Sequence, residues 1–270
     1  MKQQKLNVPR NIFLWLCLLV PFAVQAQVTL SADGKSNTYE LINSVFAPGY
    51  VAVEAPDQCS SHPAFGPHIT QVWDEVLKEN VFEFYSHVTP DNDRCINFDR
   101  QRTEIKSYES SPDNLKGTTG ERLTYKWKFK LPSGFQPSSS FTHIHQVKAV
   151  GGSDGDPIFT LTTRKGIVNK LELIHDNRNL LAAVPLSFFE NTWVEATEVL
   201  TVGTSGTYSI IIKEVKTGKT ILSFSSSNIM TIRPDNHFIR PKWGIYRSLK
   251  KAMDLRNEAI RFADFSIKEG

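Results

Sequence analysis

The sequence lacks an excess of charge of either sign once its first 26 residues are set aside. The whole chain has 31 Lys and Arg residues against 28 Asp and Glu, and three of the bases (Lys2, Lys5 and Arg10) lie in that segment. The remaining 28 bases and 28 acids balance. This balance excludes attraction of a polyanion by the field of the whole protein, so a local patch must hold any such ligand. Nucleic acid is therefore a poor candidate partner.

Several familiar catalytic motifs are also absent. The chain has no G-x-S-x-G nucleophile motif and no glycine-rich phosphate loop. It has no cluster of the E-x-D-x-x-E type, although Glu104 with Glu172 or Glu195 remains a conceivable glycosidase pair. No internal repeat or long low-complexity linker divides residues 27–270, which predicts a single catalytic domain.

Only the first 26 residues contain a long apolar run. Residues 12–24 are almost entirely apolar, follow a basic start, and lead to small residues before Gln27. This layout is typical of a secretory signal peptide cleaved near Ala26, and the run is short for a membrane span. We therefore predict a secreted or periplasmic protein that is not inserted in a membrane. A lipoprotein anchor at Cys17 is disfavoured because Leu16 is too bulky for such a site.

Cysteine is scarce, with three residues in the whole chain. Cys17 lies in the predicted signal peptide, which leaves Cys59 and Cys95. An even pair in an oxidising compartment predicts a disulfide, which adds about 3–4 kcal/mol of stability, and disfavours a free nucleophilic thiol. Two acidic loops, 91–93 and 154–156, offer oxygen atoms for a structural calcium ion, although neither completes a known calcium-binding pattern.

The hydrophobic pattern predicts an all-β protein with one short helix near the N-terminus. Residues 36–50 read as a segment without strands, and the helix is predicted from apolar residues at helical spacing, namely Ile69, Val72, Trp73, Val76 and Leu77. Predicted strands cover residues 125–131, 141–150, 158–163, 171–175, 193–202, 208–215, 221–225 and 260–267. Many strands with one edge helix favour a β-jelly-roll sandwich of two antiparallel sheets.

Three segments concentrate polar residues that are able to carry chemistry. The first is residues 100–106, where strand alternation places Arg100, Arg102, Glu104 and Lys106 on one face. Four charged side chains cannot face an apolar core, so that face is either a solvated surface or a cationic platform for a carboxylated sugar.

The second segment contains His143 and His145, which strand alternation places on one face with Gln146 on the other. Such a pair serves as zinc ligands, as an acid–base and substrate-orienting pair, or as structural residues. No other histidine has a recognisable metal spacing with this pair, so we predict no metal there.

The third segment is residues 240–248. On a strand, Lys242, Gly244 and Tyr246 share a face, and Gly244 leaves room for another backbone or a sugar ring. The alternative is an amphipathic strand on which Tyr246 is an ordinary half-buried residue, and Trp243 belongs to the core in both interpretations.

Taken in order, the three segments resemble the strand motifs R-[ST]-E-[LV]-R, Q-[IV]-H and Y-F-K-A-G-[VI]-Y-N-Q of the jelly-roll polysaccharide lyases, the alginate lyases among them. The matching residues are 102–106, 143–145 and 242–246, and the resemblance covers roughly residues 66–268. The residues of the second and third segments resemble those of the glucuronan lyases of polysaccharide lyase family 20 more closely than those of the alginate lyases. His143 stands where Gln is usual, Arg247 and Ser248 replace Asn-Gln, and Gln146 reaches the site only if a bulge redirects it.

The resemblance implies β-elimination on a uronate polymer without a required cofactor. Arg102 and His143 would neutralise the sugar carboxylate, and Tyr246 would act as acid and, depending on substrate stereochemistry, as base, with His145 as the alternative base. The predicted substrate-binding residues are Arg100, Glu104, Lys106, Gln146, Lys242 and Arg247. We expect a monomer whose partner is an acidic polysaccharide. The alternatives are a laminarinase-type β-sandwich hydrolase and a non-catalytic carbohydrate-binding protein, since sandwiches host all three.

Overall fold

The computed structural model describes residues 27–59 and 62–270. The predicted signal peptide and Cys17 lie outside these residues. Within the part described, no helix is both long enough and apolar enough to cross a membrane.

The chain forms fifteen strands and one α-helix in the residues described. In chain order they are β1 (Gln27–Leu30), α1 (Thr38–Phe46), β2 (Val53–Glu54), β3 (Ile69–Asp74), β4 (Glu79–Ser86), β5 (Arg100–Lys106), β6 (Arg122–Lys130), β7 (Thr142–Val150), β8 (Phe159–Arg164), β9 (Lys170–His175), β10 (Asn179–Pro185), β11 (Val194–Thr201), β12 (Gly206–Glu214), β13 (Thr220–Ile229), β14 (Phe238–Ser248) and β15 (Glu258–Glu269). Short 3₁₀ turns lie at Pro56–Cys59, Asp113–Leu115, Leu186–Phe188 and Ala252–Asp254.

The strands form two antiparallel sheets, which confirms the predicted β-jelly-roll sandwich. The first sheet has eight strands in the order β13-β12-β11-β6-β15-β4-β3, with β1 paired to β15. The second has seven strands in the order β10-β9-β8-β7-β14-β5-β2. One continuous apolar core lies between them. Strand β6 shows the reason, because Tyr125, Trp127 and Phe129 are buried while the lysines between them face outward.

The predicted helix at residues 69–77 is wrong. Residues Ile69–Asp74 form strand β3, which pairs with β4 in a hairpin that places Trp73 opposite Asn80. The turn is held by the Asp74 carboxylate, which accepts hydrogen bonds from the backbone N–H groups of Val76 and Leu77. Pairing with β4 overrides a spacing that fits a helix equally well.

The helix lies instead within the segment predicted to have no strands. Helix α1 buries Thr38, Ile42 and Phe46, one side chain per turn, and Phe46 stacks on Trp243 at 5.9 Å. The Cys59–Cys95 disulfide is present as predicted, with Cα atoms 6.0 Å apart. It joins the segment after β2 to the connection between β4 and β5.

Candidate active site

The outer side of the seven-stranded sheet carries a dense set of charged and polar side chains, which we call the charged face. Its members are Glu54 of β2, Arg100, Arg102, Glu104 and Lys106 of β5, His143, Gln146 and Lys148 of β7, and Arg240, Lys242 and Tyr246 of β14. The predicted alternation of β5 is confirmed, because Ile105 is in the core while its charged neighbours contact one another on the outer side. At one end the face borders a pocket of about 370 Å³ lined by Glu54, Arg94, Lys106 and Tyr108 among others.

Tyr246 is half-buried, whereas most of strand β14 is fully buried. The Arg100 guanidinium donates a hydrogen bond to its hydroxyl oxygen at 3.0 Å. The guanidinium of Arg102 lies over its ring, 3.6 Å from the centroid. The residue is therefore partly accessible, and the positive charge of Arg100 beside its hydroxyl stabilises negative charge that develops on the oxygen.

Arg102 is already engaged on both sides of its guanidinium. It donates to the Asp93 carboxylate at 2.8 and 3.2 Å, and it also pairs with Glu104. Few of its N–H groups remain for a substrate carboxylate. The geometry therefore makes Arg102 a group that holds the Tyr246 ring.

A bulge in β7 separates the two histidines that alternation placed together. Ile144 is an extra residue relative to β8, where His143 pairs with Thr162 and His145 pairs with Leu161. His143 consequently lies on the charged face, with its ring 5.9 Å from Tyr246. Gln146 is brought to the same face, where its amide donates to Glu104 at 2.5 Å. This is the redirection that the sequence required for Gln146 to belong to the site.

His145 does not lie on the charged face, so the prediction that it shares a face with His143 is wrong. Its ring is buried in the sandwich interior between Trp127 and Trp243, with ring centroids 4.3 and 5.6 Å away. Its Nε2 contacts the Glu198 carboxylate at 2.8 Å, and Glu198 also accepts a hydrogen bond from Tyr208 at 2.7 Å. A side chain sealed between two sheets cannot reach a polymer on the outer surface.

Arg247 also lies inside the protein and not at the substrate face. Its guanidinium donates to Gln101 Oε1 at 2.6 Å and to the Arg256 and Ser86 carbonyl oxygens, with no exposed surface. Residues alternate along β14, so the neighbour of an outward Tyr246 must point inward.

Gly244 gives the local backbone a close approach to β5. Its φ is +142°, and a Cβ there would lie 2.1 Å from the Thr103 carbonyl oxygen. The space beside this glycine is thus filled by the backbone of β5. The sequence alone allows either another backbone or a sugar ring at this place.

The charged face is cross-linked by Glu104 and by Glu54, a carboxylate that the sequence did not identify. Glu54 accepts contacts from Arg94 and Lys106 at 2.7 Å and from Lys242 at 2.6 Å. Lys242 also contacts Glu104 at 2.8 Å. Lys242 is therefore clamped between two carboxylates and contributes to substrate binding only through them.

Burial shifts the titration of several groups on this face. It lowers the pKa of His143 to about 3, so the imidazole is neutral near pH 7, and His143 Nδ1 has no hydrogen-bond partner within the described part of the chain. Burial also lowers the pKa of Lys106 and of Lys148 to about 8, although Glu54 and Asp154 oppose the shifts. Burial alone would raise the pKa of Glu54, but Lys242, Arg102, Lys106 and Arg94 outweigh it and hold that pKa well below its ordinary value.

The depressed pKa of Glu54 predicts a loss of stability in acid. A carboxylate whose pKa is lower in the folded state contributes stability above its unfolded pKa of about 4.3, and this contribution is lost as the pH falls through the folded pKa. We therefore expect the free energy of unfolding, measured by urea titration, to decline below about pH 4. Glu54→Gln should flatten that decline, whereas Glu75→Gln, at an exposed site, should leave it unchanged. An equally steep decline in Glu54→Gln would contradict the assignment.

The two acidic loops considered for calcium have their carboxylates engaged by protein donors. Asp93 binds Arg94 and Arg102, and Asp154 accepts from the Gly151 N–H at 3.0 Å. Sequence reasoning missed the role of Asp93 because it lies in the loop before β5, and only the fold brings that loop back onto the outer face of the strand.

Arg240 and Lys148 are cations on the charged face whose hydrogen-bond acceptors, among the described residues, are backbone carbonyl oxygens: that of Ser107 for Arg240 and those of Asp154 and Gly155 for Lys148. They are directly opposite each other across β14 and β7, and neither has a carboxylate within 4.0 Å among residues 27–59 and 62–270. Two like charges at opposed positions repel each other unless an anion joins them. This pair is therefore suited to bind a carboxylate.

Comparison with known proteins finds relatives by structure alone. No protein-family model matches the chain, and no curated protein matches it. Among solved structures, an endo-β-1,4-glucuronan lyase from the fungus Trichoderma reesei is 14% identical over 74% of this chain and 86% of its own, with a TM-score of 0.52. A family 14 alginate lyase from Aplysia kurodai is 12% identical over 88% and 97%, with a TM-score of 0.56.

A further alginate lyase, solved in complex with an alginate trisaccharide, is 10% identical over 92% of this chain and 100% of its own, with a TM-score of 0.56. At identities this low, the structural similarity establishes the fold alone. Membership of family 20 stays a prediction. The chain has the β-jelly-roll fold of the glucuronan and alginate lyases.

Proposed function

We propose that the protein is a polysaccharide lyase that cleaves a uronate polymer by β-elimination at Tyr246. The observation that carries the proposal is the half-exposed phenol of Tyr246 on a cationic face, with Arg100 at its hydroxyl, Arg102 over its ring and His143 beside it. The fold shared with glucuronan and alginate lyases supports the same chemistry. Export from the cell, through the signal peptide predicted at residues 1–26, belongs to this proposal.

The reaction requires removal of the C5 proton and departure of O4. A base takes the proton, the C5–H electrons form the C4=C5 double bond, the C4–O4 bond breaks, and O4 leaves with a proton from an acid. Tyr246 as phenolate accepts the C5 proton and then, as phenol, supplies the proton to O4. Arg100 stabilises the phenolate before the transfer, and neutral His143 donates a hydrogen bond to the sugar carboxylate.

One group serves in both steps only when H5 and O4 lie on the same side of the sugar ring. The His145 ring lies in the interior, so the proposed mechanism uses no second base. We therefore propose substrates with glucuronate or mannuronate stereochemistry in preference to guluronate. This agrees with the resemblance to glucuronan lyases.

The carboxyl pairs that the sequence left open for a glycoside hydrolase, Glu104 with Glu172 or Glu195, fit that mechanism poorly. Glu172 of β9 is engaged by Arg164 at 2.8 Å. Glu104 is fully buried and shared among Arg102, Lys242 and Gln146. Burial alone would raise its pKa, but the charges of Lys242 and Arg102 hold that pKa below the ordinary value. Glu195 lies in the other sheet, where it pairs with Lys126 at 3.1 Å. Because a hydrolase needs one protonated carboxyl group at the scissile bond, the lyase mechanism is better supported.

The proposal is tested by incubating the purified protein with glucuronan, alginate, ulvan, pectate and heparin. A lyase generates an unsaturated uronate that absorbs in the ultraviolet, with glucuronan expected to give the largest signal. Chain shortening without that absorbance would indicate a hydrolase. Polymer binding without chain shortening would indicate a carbohydrate-binding protein. Either result would overturn the proposal.

The cation pair of Lys148 and Arg240 predicts a pH dependence of binding. As the pH rises through the Lys148 pKa of about 8, the ammonium loses its proton and with it the attraction to a carboxylate. We expect affinity for the polymer, measured with the Tyr246→Phe variant, to fall about tenfold between pH 7 and 9. Lys148→Met should bind weakly at both pH values, and Lys213→Met, exposed on the other sheet, should behave like the parent. A Lys148→Met variant that keeps the full pH dependence would remove Lys148 from substrate binding.

A further inference from the structure

Three histidines converge on one aspartate away from the charged face. His62, His68, His87 and Asp91 offer ligand atoms that all lie within 4.8 Å of one another. His62 Nδ1 is 2.7 Å and His68 Nε2 is 3.1 Å from Asp91 Oδ1, and His87 Nδ1 is 3.1 Å from Asp91 Oδ2. The residues come from separate segments, namely the loop before β3 and the connection from β4 to β5, so no sequence motif joins them.

We propose that these four residues form a structural zinc site. Three imidazole nitrogens and one carboxylate oxygen are a ligand set that suits Zn²⁺ and disfavours Ca²⁺ and Mg²⁺, which take oxygen ligands. Ligand atoms at tetrahedral zinc distances of about 2.1 Å lie about 3.4 Å apart, so small side-chain shifts accommodate the ion. Four protein ligands leave no open position, which is typical of a structural site and not of a catalytic one.

A second carboxylate orients the most buried ligand. His68 Nδ1 is 2.9 Å from Asp57 Oδ1, so its Nε2 is free to face Asp91 and the ion. Asp57 is in turn held by the Tyr39 hydroxyl at 2.9 Å. A carboxylate that accepts the second N–H of a metal-bound histidine is a common feature of zinc sites. The two charges of the ion would balance the carboxylates of Asp57 and Asp91, which both contact His68.

The cluster is enclosed on most sides. The side chains of His68 and Asp91 have no exposed surface, whereas those of His62 and His87 are 18% and 14% exposed. The Phe65 ring covers the cluster, 4.2 Å from His87 and 5.0 Å from His68 between centroids. The partly exposed His62 therefore lies on the side from which an ion enters. The Phe65 ring limits the access of water.

The site would fasten the connection between the two sheets. It joins the loop before β3 to residues 87–91, close to where the Cys59–Cys95 disulfide joins the same two segments. Two residues beyond Asp91, Asp93 binds the Arg102 guanidinium that lies over Tyr246. Zinc bound to Asp91 would thus order the loop that also contains Asp93, the carboxylate that positions Arg102. The ion itself would not touch the substrate.

The test uses untagged, disulfide-intact protein that has been stripped of metal with a chelator and titrated with Zn²⁺ by calorimetry. We expect one Zn²⁺ per chain and a rise in Tm on zinc addition. His62→Ala, at the exposed side of the cluster, should lose stoichiometric binding, and Asp57→Asn should weaken it by about 10–100-fold. His237→Ala removes an exposed histidine elsewhere and should bind like the wild type.

Two results would overturn the proposal. One is the absence of stoichiometric zinc binding by the wild-type chain, which would leave the cluster as a hydrogen-bonded network around Asp91. The other is equal zinc affinity in the wild type and in folded His62→Ala, which would place the ion elsewhere. Circular dichroism of each variant verifies folding. None of these measurements needs lyase activity, so the outcome is independent of the proposed function.

Discussion

The Tyr246→Phe variant is expected to lose cleavage of the uronate polymer by about 10³-fold or more, with nearly unchanged stability. General acid–base catalysis contributes about 10²–10⁴-fold, and in the proposed mechanism a single hydroxyl serves both proton transfers. Phenylalanine keeps the ring under Arg102 and removes only the oxygen that Arg100 contacts. The measurement is the initial rate of ultraviolet absorbance from the unsaturated product, at saturating and at low polymer concentration.

Tyr108 provides a matched control on the same surface. Its exposed ring lies beneath Lys106 and near Arg240, and its hydroxyl makes no hydrogen bond among the contacts of the described residues. Tyr108→Phe should therefore cleave at the wild-type rate. Turnover close to the wild-type rate in Tyr246→Phe would remove the phenol from the reaction. An equal loss in both variants would point to polymer binding by the tyrosine hydroxyl groups as the cause.

The strand pattern was predictable wherever alternation ran uninterrupted. Strand β5 alternates through all seven residues, so its charged face followed from the sequence, and so did the buried aromatic face of β6. The helix was misplaced because the three-residue spacing of Ile69 and Val72 fits a helical face, whereas pairing with strand β4 places the two side chains on opposite faces of a strand. Local spacing does not contain that information.

The site was predictable only in part. A bulge in β7 changes which side chains face outward, and other groups of the site come from segments that are far apart in the sequence. A single extra residue at Ile144 sends His143 outward and His145 inward, and a bulge leaves no mark on residue spacing. Glu54 reaches Lys242 across 188 positions, and Asp93 reaches Arg102 from a loop. The proposed zinc ligands were equally hard to predict, since they belong to two segments that only the fold brings together.

His145→Ala is expected to lower the free energy of unfolding by about 3–5 kcal/mol, because breaking a buried acid–base pair strands the remaining partner. Glu198 has no exposed surface, and without His145 its one remaining side-chain partner among residues 27–59 and 62–270 is Tyr208. The lost imidazole also leaves a cavity against Trp127 and Trp243. Urea unfolding at low temperature measures the loss, and turnover per folded molecule should stay within a few-fold of wild type.

His175→Ala is the control for this prediction, because its part-buried ring packs against Phe159 at 4.9 Å between centroids and contacts a neutral acceptor, the Met230 backbone carbonyl, at 2.8 Å. It should lose about 1 kcal/mol. Replacing the whole interior network, as His145→Leu with Glu198→Leu and Tyr208→Phe, should recover much of the stability lost in His145→Ala, since no buried carboxyl group then lacks a partner. Unchanged unfolding with abolished turnover in His145→Ala would instead return this histidine to the reaction. That result would require the two sheets to separate around the substrate, because the ring has no path to the outer face while they remain packed.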